Sequence, residues 1–251
     1  MSGLVWLSRR ETLRVSKLWT QTVLAPVISS MLFILVFGLS LGERIRQVSS
    51  VDYEVFIVPG LITMAMVQAA YANNSASIFQ ARFDRYIHDV LSAPMHPWQM
   101  TLGYTVGGVV RALAIGVSLM LLAIVLVGVP VEQPFALGAA VTLGLVLFSA
   151  LGTVVGIYAE TWDHTTFISN IVILPLAFLG GTFYSVNLLP SPWEELTHFN
   201  PLFYLIDAMR FGFLGESDVS IWLALGITAA LAVPAYLWSL YLFSSGKRLK
   251  D

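Results

Sequence analysis

Charged residues interrupt this chain only at long intervals. Residues 18–42, 55–81, 112–131, 133–159, 164–193 and 219–246 each contain no Asp, Glu, Lys or Arg. About 20 apolar residues in a helix cross about 30 Å of hydrocarbon, and every run reaches that length. Lipid admits only helices or closed barrels. Barrel strands alternate polar and apolar positions over about 10 residues, whereas these runs are continuous. The pattern predicts an all-α, polytopic membrane protein. Its six spans fall at about 20–42, 55–80, 98–128, 134–158, 165–188 and 219–244.

Two amphipathic stretches flank the first spans. Residues 1–19 mix Leu4, Val5, Leu7, Leu18 and Trp19 with Arg9, Arg10, Arg14 and Lys17. This is the pattern of a basic helix lying in the membrane interface. Between the second and third spans, residues 82–99 are charged and helix-prone, far longer than a simple reversal needs. Arg82, Asp84, Arg85, His88 and Asp89 give this connection a polar face. Phe83, Ile87, Val90 and Leu91 recur at i, i+4, i+7 and i+8, an apolar stripe at helical spacing. The spacing predicts a helix over 82–93 that lays an anchor into a partner's groove.

The segment 187–218 is too aromatic for a solvated loop and too short in its apolar run to span. Asn200 and Pro201 make a helix start, with Asn as N-cap and Pro in the first helical position. Gly215 closes that helix, and Tyr204 and Arg210 lie within it. The expectation is a re-entrant helical hairpin over 189–216. The alternative is an ordinary extracellular helix packed on the bundle. Pro175, near the middle of the fifth span, predicts a bend. The pairs Gly38/Gly42, Gly103/Gly107 and Gly152/Gly156 indicate close helix packing. Thr161 or Asp163 is positioned to cap the fifth span.

Composition fits this picture. The 251 residues are 57% hydrophobic and 11% charged, against about 25% charged in soluble domains. Nine Lys or Arg residues lie in the N-terminal segment, the 82–99 connection and the tail; three, Arg44, Arg46 and Arg210, lie on the other side. The positive-inside rule then puts both termini in the cytoplasm. No sizeable soluble domain is expected, nor a cleavable signal peptide, because the first 17 residues carry too many charges for an apolar core.

Catalytic chemistry is not in evidence along the sequence. There are no cysteines, which excludes disulfides and thiolate chemistry. The four histidines show no metal-ligand spacing, and no G-x-S-x-G motif or phosphate-binding G-x-x-x-x-G-K-[ST] loop occurs. The expectation is no catalytic residue, no metal and no ATP site in this chain. Arg111 is the one clear charge inside a span, where a cation is costly. It either braces the helices or faces a pathway. Tyr71, Asn73 and Asn74 in the second span carry the same two readings, packing or pathway lining.

The order of these parts resembles the membrane subunits of ABC-2-type transporters. It is most similar to the permease group related to nodulation-factor and daunorubicin exporters. The residues that carry the likeness are Phe56-Ile-Val-Pro-Gly-Leu-Ile62, Ala70-Tyr-Ala-Asn73, Val90-Leu-Ser-Ala-Pro94, Gly180-Gly-Thr-Phe-Tyr-Ser185, Asn200-Pro-Leu-Phe-Tyr204 and Arg210-Phe-Gly-Phe-Leu-Gly215. The chain has Gln80-Ala-Arg-Phe-Asp84 where members of the family it resembles often carry an acidic Glu-Arg-Glu run with a glycine.

The resemblance implies a permease of the bacterial inner membrane that pairs with a second, identical permease chain and with two copies of a separate ATPase subunit. MgATP would sit in that ATPase, and Arg82, Phe83, Asp84, Arg85, Ile87, His88 and Leu91 would form the coupling helix. The implied cargo is an amphipathic, lipid-linked, glycan or drug-like compound, with no nucleic-acid partner. Two other readings stand beside this one: an ion-driven carrier acting alone, and a cargo-free, ATPase-coupled scaffold.

Overall fold

The computed structural model describes residues 3–42, 47–48 and 51–249. Arg44, Arg46 and Lys250, used in the charge count, lie outside the described residues, as does the packing of the Gly38/Gly42 pair. Among the described residues, six helical segments are long and apolar enough to cross a membrane: Thr20–Phe37, Tyr53–Phe83, Pro97–Val127, Pro134–Tyr158, Trp162–Thr182 and Ile221–Ser245.

The chain opens with α1 (Gly3–Lys17), a π-helical turn (Thr20–Leu24) and α2 (Ala25–Gly42). A two-residue hairpin, β1 (Gln47–Val48) against β2 (Val51–Asp52), leads into α3 (Tyr53–Phe83). It is the one departure from an all-helical chain among the described residues. Next come the short α4 (Ile87–Ser92), α5 (Pro97–Val127) and α6 (Pro134–Tyr158). The start of α5 is fixed by Pro97 and by a reciprocal cap between His96 and Gln99.

The fifth span is built from pieces. α7 (Trp162–Ile168) starts at Thr161, whose hydroxyl accepts from the His164 N–H. A π-helical stretch (Ser169–Ile173), α8 (Leu174–Ala177) and a second π-helical stretch (Phe178–Thr182) follow. Pro175 lies between the two π-helical stretches, where its missing N–H already breaks the regular ladder. The helix ends at Thr182, short of the expected 188, because Gly181 takes a left-handed conformation (φ 83°). The hairpin is α9 (Trp193–Thr197) and α10 (Pro201–Leu214), before the last span, α11 (Ile221–Ser245).

The second span is the hub. α3 packs on α2, α5, α6, α7, α8 and α10, and 83% of its apolar window is buried. Small residues let its neighbours come close: a Cβ on Gly152 of α6 would lie 2.3 Å from the Tyr71 carbonyl oxygen, and one on Gly156 2.7 Å from that of Ser75. The Gly103/Gly107 pair of α5 receives Leu7 and Glu11 of α1 instead. So α1 packs along the first turns of α5. α10 is buried along almost its whole length against α3, α6 and α11.

Candidate functional site

The turn between the second and third spans departs from the expected continuous helix over 82–93. α3 runs on through Arg82 and Phe83, and α4 begins only at Ile87. Between them Arg85 adopts a left-handed conformation, φ 62°, which breaks the helical path. The apolar stripe is split accordingly. Ile87 and Val90 are buried in a core shared with Leu7 of α1, Ile78 of α3, Tyr104 of α5, Ile157 of α6 and Phe243 of α11. Burying side chains of this size contributes about 1.5–3 kcal/mol each. Leu91 packs on the edge of the same core. Phe83 stays 68% exposed, and Asp84, Arg85, His88 and Asp89 are exposed beside it.

Arg82 is half-buried, lines the groove at this corner and also braces it. Its Nη1 donates to the carbonyl oxygens of Gly156 (3.3 Å) and Ala159 (2.9 Å), tying the end of α3 to the end of α6. Phe79 stacks with Phe83 and meets Trp162 edge-on. A groove of about 530 Å³ lies alongside, lined by Phe83, Arg85 and His88 on one wall and Glu160 and Leu249 on the other. A wider groove of about 880 Å³ separates α1 from α4, between Trp6, Arg10 and Leu13 and Tyr86, Asp89 and Met95. Burial pushes the Tyr86 hydroxyl up, against the pull of Arg10.

α1 is locked to the bundle by a carboxylate that sequence reasoning passed over. Glu11 is 1% exposed and pairs with Arg10 (2.7 Å) and Arg14 (3.1 Å). Ser77 donates at 2.8 Å to Oε2, the oxygen that Arg14 approaches. Burial opposes the charge on Arg10, but Tyr104 and Glu11 more than offset it and hold the guanidinium above its ordinary value. The available signal was a lone acid inside a run of basic residues.

The intramembrane polar residues are joined helix to helix. Tyr71 donates to the Thr165 carbonyl (3.0 Å), linking α3 to α7. Asn74 donates to the Ser149 carbonyl (3.0 Å) and Thr153 Oγ1 (3.1 Å), linking α3 to α6. Asn73 accepts from Arg14 of α1 at 3.0 Å. Arg111 Nε donates to the Thr22 carbonyl at 3.2 Å, in the π-helical turn before α2.

At the far end the hairpin residues form a clamp. Asn200 caps α10 and also donates to the Leu176 carbonyl. Pro201 opens the helix, Tyr204 donates to the His198 carbonyl, and Gly215 ends the helix with φ 71°. Arg210 is 3% exposed, lies 4.2 Å over the Phe56 ring and donates to the Gly181 carbonyl. It also approaches Asp207 (3.6 Å) and Asp218 (3.7 Å). Asp218 in turn accepts from Ser185 Oγ and the Val186 N–H. Neither aspartate was expected, although the i, i+3 spacing of Asp207 and Arg210 is visible in the sequence.

This succession is a buried second span, a compact corner seated in the bundle and a clamped helical hairpin before the last span. Residues 2–214 match a known family, that of the ABC-2 type transporters. The chain belongs to the ABC-2 type transporter family. It is 37% identical to the inner membrane transport permease YadH of Escherichia coli K12, over 99% of this chain and all of that protein. Nodulation protein J of Rhizobium leguminosarum bv. viciae is 27% identical over 94% of this chain and 93% of its own length. That of Rhizobium meliloti is 26% identical over 95% and 92%. Among the described residues of this ABC-2 family member, no cluster of His or carboxylate side chains has the make-up of a metal site.

Proposed function

We propose that this chain is the membrane permease subunit of an ATP-driven exporter in a bacterial inner membrane. Two copies form the pathway, two copies of a separate ATPase chain bind and hydrolyse MgATP, and both termini face the cytoplasm. The supporting relative is a permease by name and is alike over its full length. The cargo class is amphipathic: lipid-linked, glycan or drug-like.

One observation carries the coupling role. α4 is seated by Ile87 and Val90 in a core that also takes in α1, α3, α5, α6 and α11, while Phe83, Arg85 and His88 stay outside. A partner gripping this exposed rim would move a unit already packed on several spans at once. Packed interiors transmit displacement instead of absorbing it. The side chains suited to contact are Phe83, as an aromatic anchor, with Asp84, Arg85, His88 and Asp89 as its charged rim. Arg82, Ile87 and Leu91 serve as the internal support of the same corner.

The test is co-purification of the tagged permease with its ATPase, followed by reconstitution into vesicles. ATP-dependent accumulation of cargo that requires both chains supports the reading. Cargo movement by the permease alone, driven by an ion gradient, would overturn it.

A further inference from the structure

A cleft of about 530 Å³ lies between α2, α3, α5 and the pieces of the fifth span, open along the exposed face of α2. Its polar lining includes Arg111, Gln68, Ser29 and Ser169, and Phe33 and Phe178 supply apolar wall. The charge in it is unbalanced. The acids Glu11, Asp207, Asp218 and Glu160 pair with other cations, Arg10, Arg14, Arg210 and Arg248. Arg111 donates Nε to the Thr22 carbonyl, and among the described residues its two Nη groups have no hydrogen-bond acceptor. The Gln68 side-chain nitrogen is also buried without a partner.

Donors in excess, one uncompensated cation and apolar walls define the complement: an anion carrying a hydrocarbon tail. An arginine fork matches the paired oxygens of a phosphate or carboxylate. π-helical turns, which mark functional sites in many helices, border the cleft on two sides, at Gln21 and at Ser169.

We propose that this cleft binds the anionic head group, phosphate or carboxylate, of an amphiphile. Arg111 holds the oxygens, Gln68 donates beside it, and the tail lies along Phe33 and Phe178. The inference goes beyond the permease reading and does not rest on it, because the site belongs to this chain's own bundle and its test needs no ATPase.

The experiment uses the full-length chain in phosphatidylcholine nanodiscs. It measures binding of spin-labelled phosphatidylglycerol, of dodecyl phosphate and of inorganic phosphate. Both amphiphilic probes should outcompete phosphatidylcholine, and Arg111→Gln should weaken them about tenfold, the scale of one charge-assisted bidentate contact. Arg111→Lys should restore part of the loss. A preference for the two-chain lipid assigns the site to a bilayer component; a preference for dodecyl phosphate assigns it to a free single-chain amphiphile. Should Arg111→Gln fail to fold, Ser29→Phe fills the cleft without touching the charge and should abolish binding of both amphiphiles. Equal binding of zwitterionic and anionic lipid, unchanged binding in the variants, or binding of inorganic phosphate as tight as that of dodecyl phosphate would overturn the proposal.

Discussion

Ser77 donates a 2.8 Å hydrogen bond to the buried carboxylate of Glu11, across 66 residues of chain. The contact joins the N-terminal helix to the most buried span. Arg10 and Arg14 close on the same carboxylate from either side, and Arg14 reaches on to Asn73. A helix that composition alone would leave on the membrane surface is therefore fastened to α3 and α5.

Glu11→Ala should destabilise the purified chain markedly. Removing one partner of a buried ion pair costs about 3–5 kcal/mol. Arg10 is 39% exposed and can turn toward water, so the expected loss is near the lower end, about 3 kcal/mol. Glu11→Gln keeps an acceptor for Ser77 and should lose less. Thermal unfolding in detergent reads both, and an unchanged Tm for Glu11→Ala would show that the latch contributes nothing.

Two glycines on one helix should respond in opposite directions. A Cβ at Gly152 would meet the Tyr71 carbonyl oxygen at 2.3 Å, and backbone cannot step aside. Gly152→Ala should push α6 off α3 at a cost of about 1–3 kcal/mol or more. Gly138 has nothing within 4 Å, so Gly138→Ala should gain about 0.5–1 kcal/mol from helix propensity. Folded yield on size-exclusion chromatography and Tm together decide it.

The spans were legible because hydrocarbon imposes one simple demand, length without charge. Pro134 and Ala159 bound the fourth span where the sequence reading puts its ends. The fifth was overextended because the residues past Gly181 stay free of charge as far as Trp193; what stops the helix is a backbone angle, and a charge-free run does not register it. The 82–93 helix was misread for a related reason. Ile87, Val90 and Leu91 keep helical spacing whether or not the backbone turns at Arg85, and a left-handed arginine has no signature of the kind glycine provides. Glu11 was missed because Ser77, which holds it in the bundle, lies 66 residues away, and Asp218 because Ser185 and Val186 lie 33 and 32 residues before it. For Tyr71, Asn73 and Asn74 the sequence showed polar groups in need of partners but not which ones: carbonyls on α6 and α7 and an arginine on α1, each more than 50 residues away.

The hairpin clamp predicts unequal costs for two substitutions. Asp218→Ala removes the acceptor for Ser185 Oγ, the Val186 N–H and the Asn187 amide, and leaves Arg210 with one carboxylate fewer. Hydrogen bonds to charged groups contribute about 1.5–3 kcal/mol each, so the variant should lose at least that much. Tyr204→Phe gives up one neutral bond to the His198 carbonyl, about 1 kcal/mol. Asp218→Ala should also expose residues 183–200 to protease added to the face of the vesicle that carries the hairpin. Equal stability and equal cleavage of the two variants would contradict the clamp.

Arg82 and Arg85 stand three residues apart and should fail in different ways. Arg82 braces α3 to α6 through the Gly156 and Ala159 carbonyls. Arg82→Ala should therefore lower the Tm of the isolated permease before any partner is added, since two buried carbonyls lose a charged donor. Arg85 is exposed at a left-handed turn. Arg85→Gly should leave the Tm unchanged or raise it by about 1 kcal/mol equivalent, because glycine takes that angle without strain. Arg85→Glu combined with Phe83→Ala should leave insertion and Tm intact, yet reduce ATP-driven transport and cargo-stimulated ATP hydrolysis at least tenfold, about 1.4 kcal/mol of contact energy. Measured in one vesicle preparation, the two profiles separate a brace from a docking residue. Full coupling in the double variant would remove Phe83 and Arg85, at the turn before α4, from the ATPase contact and leave the corner as packing alone.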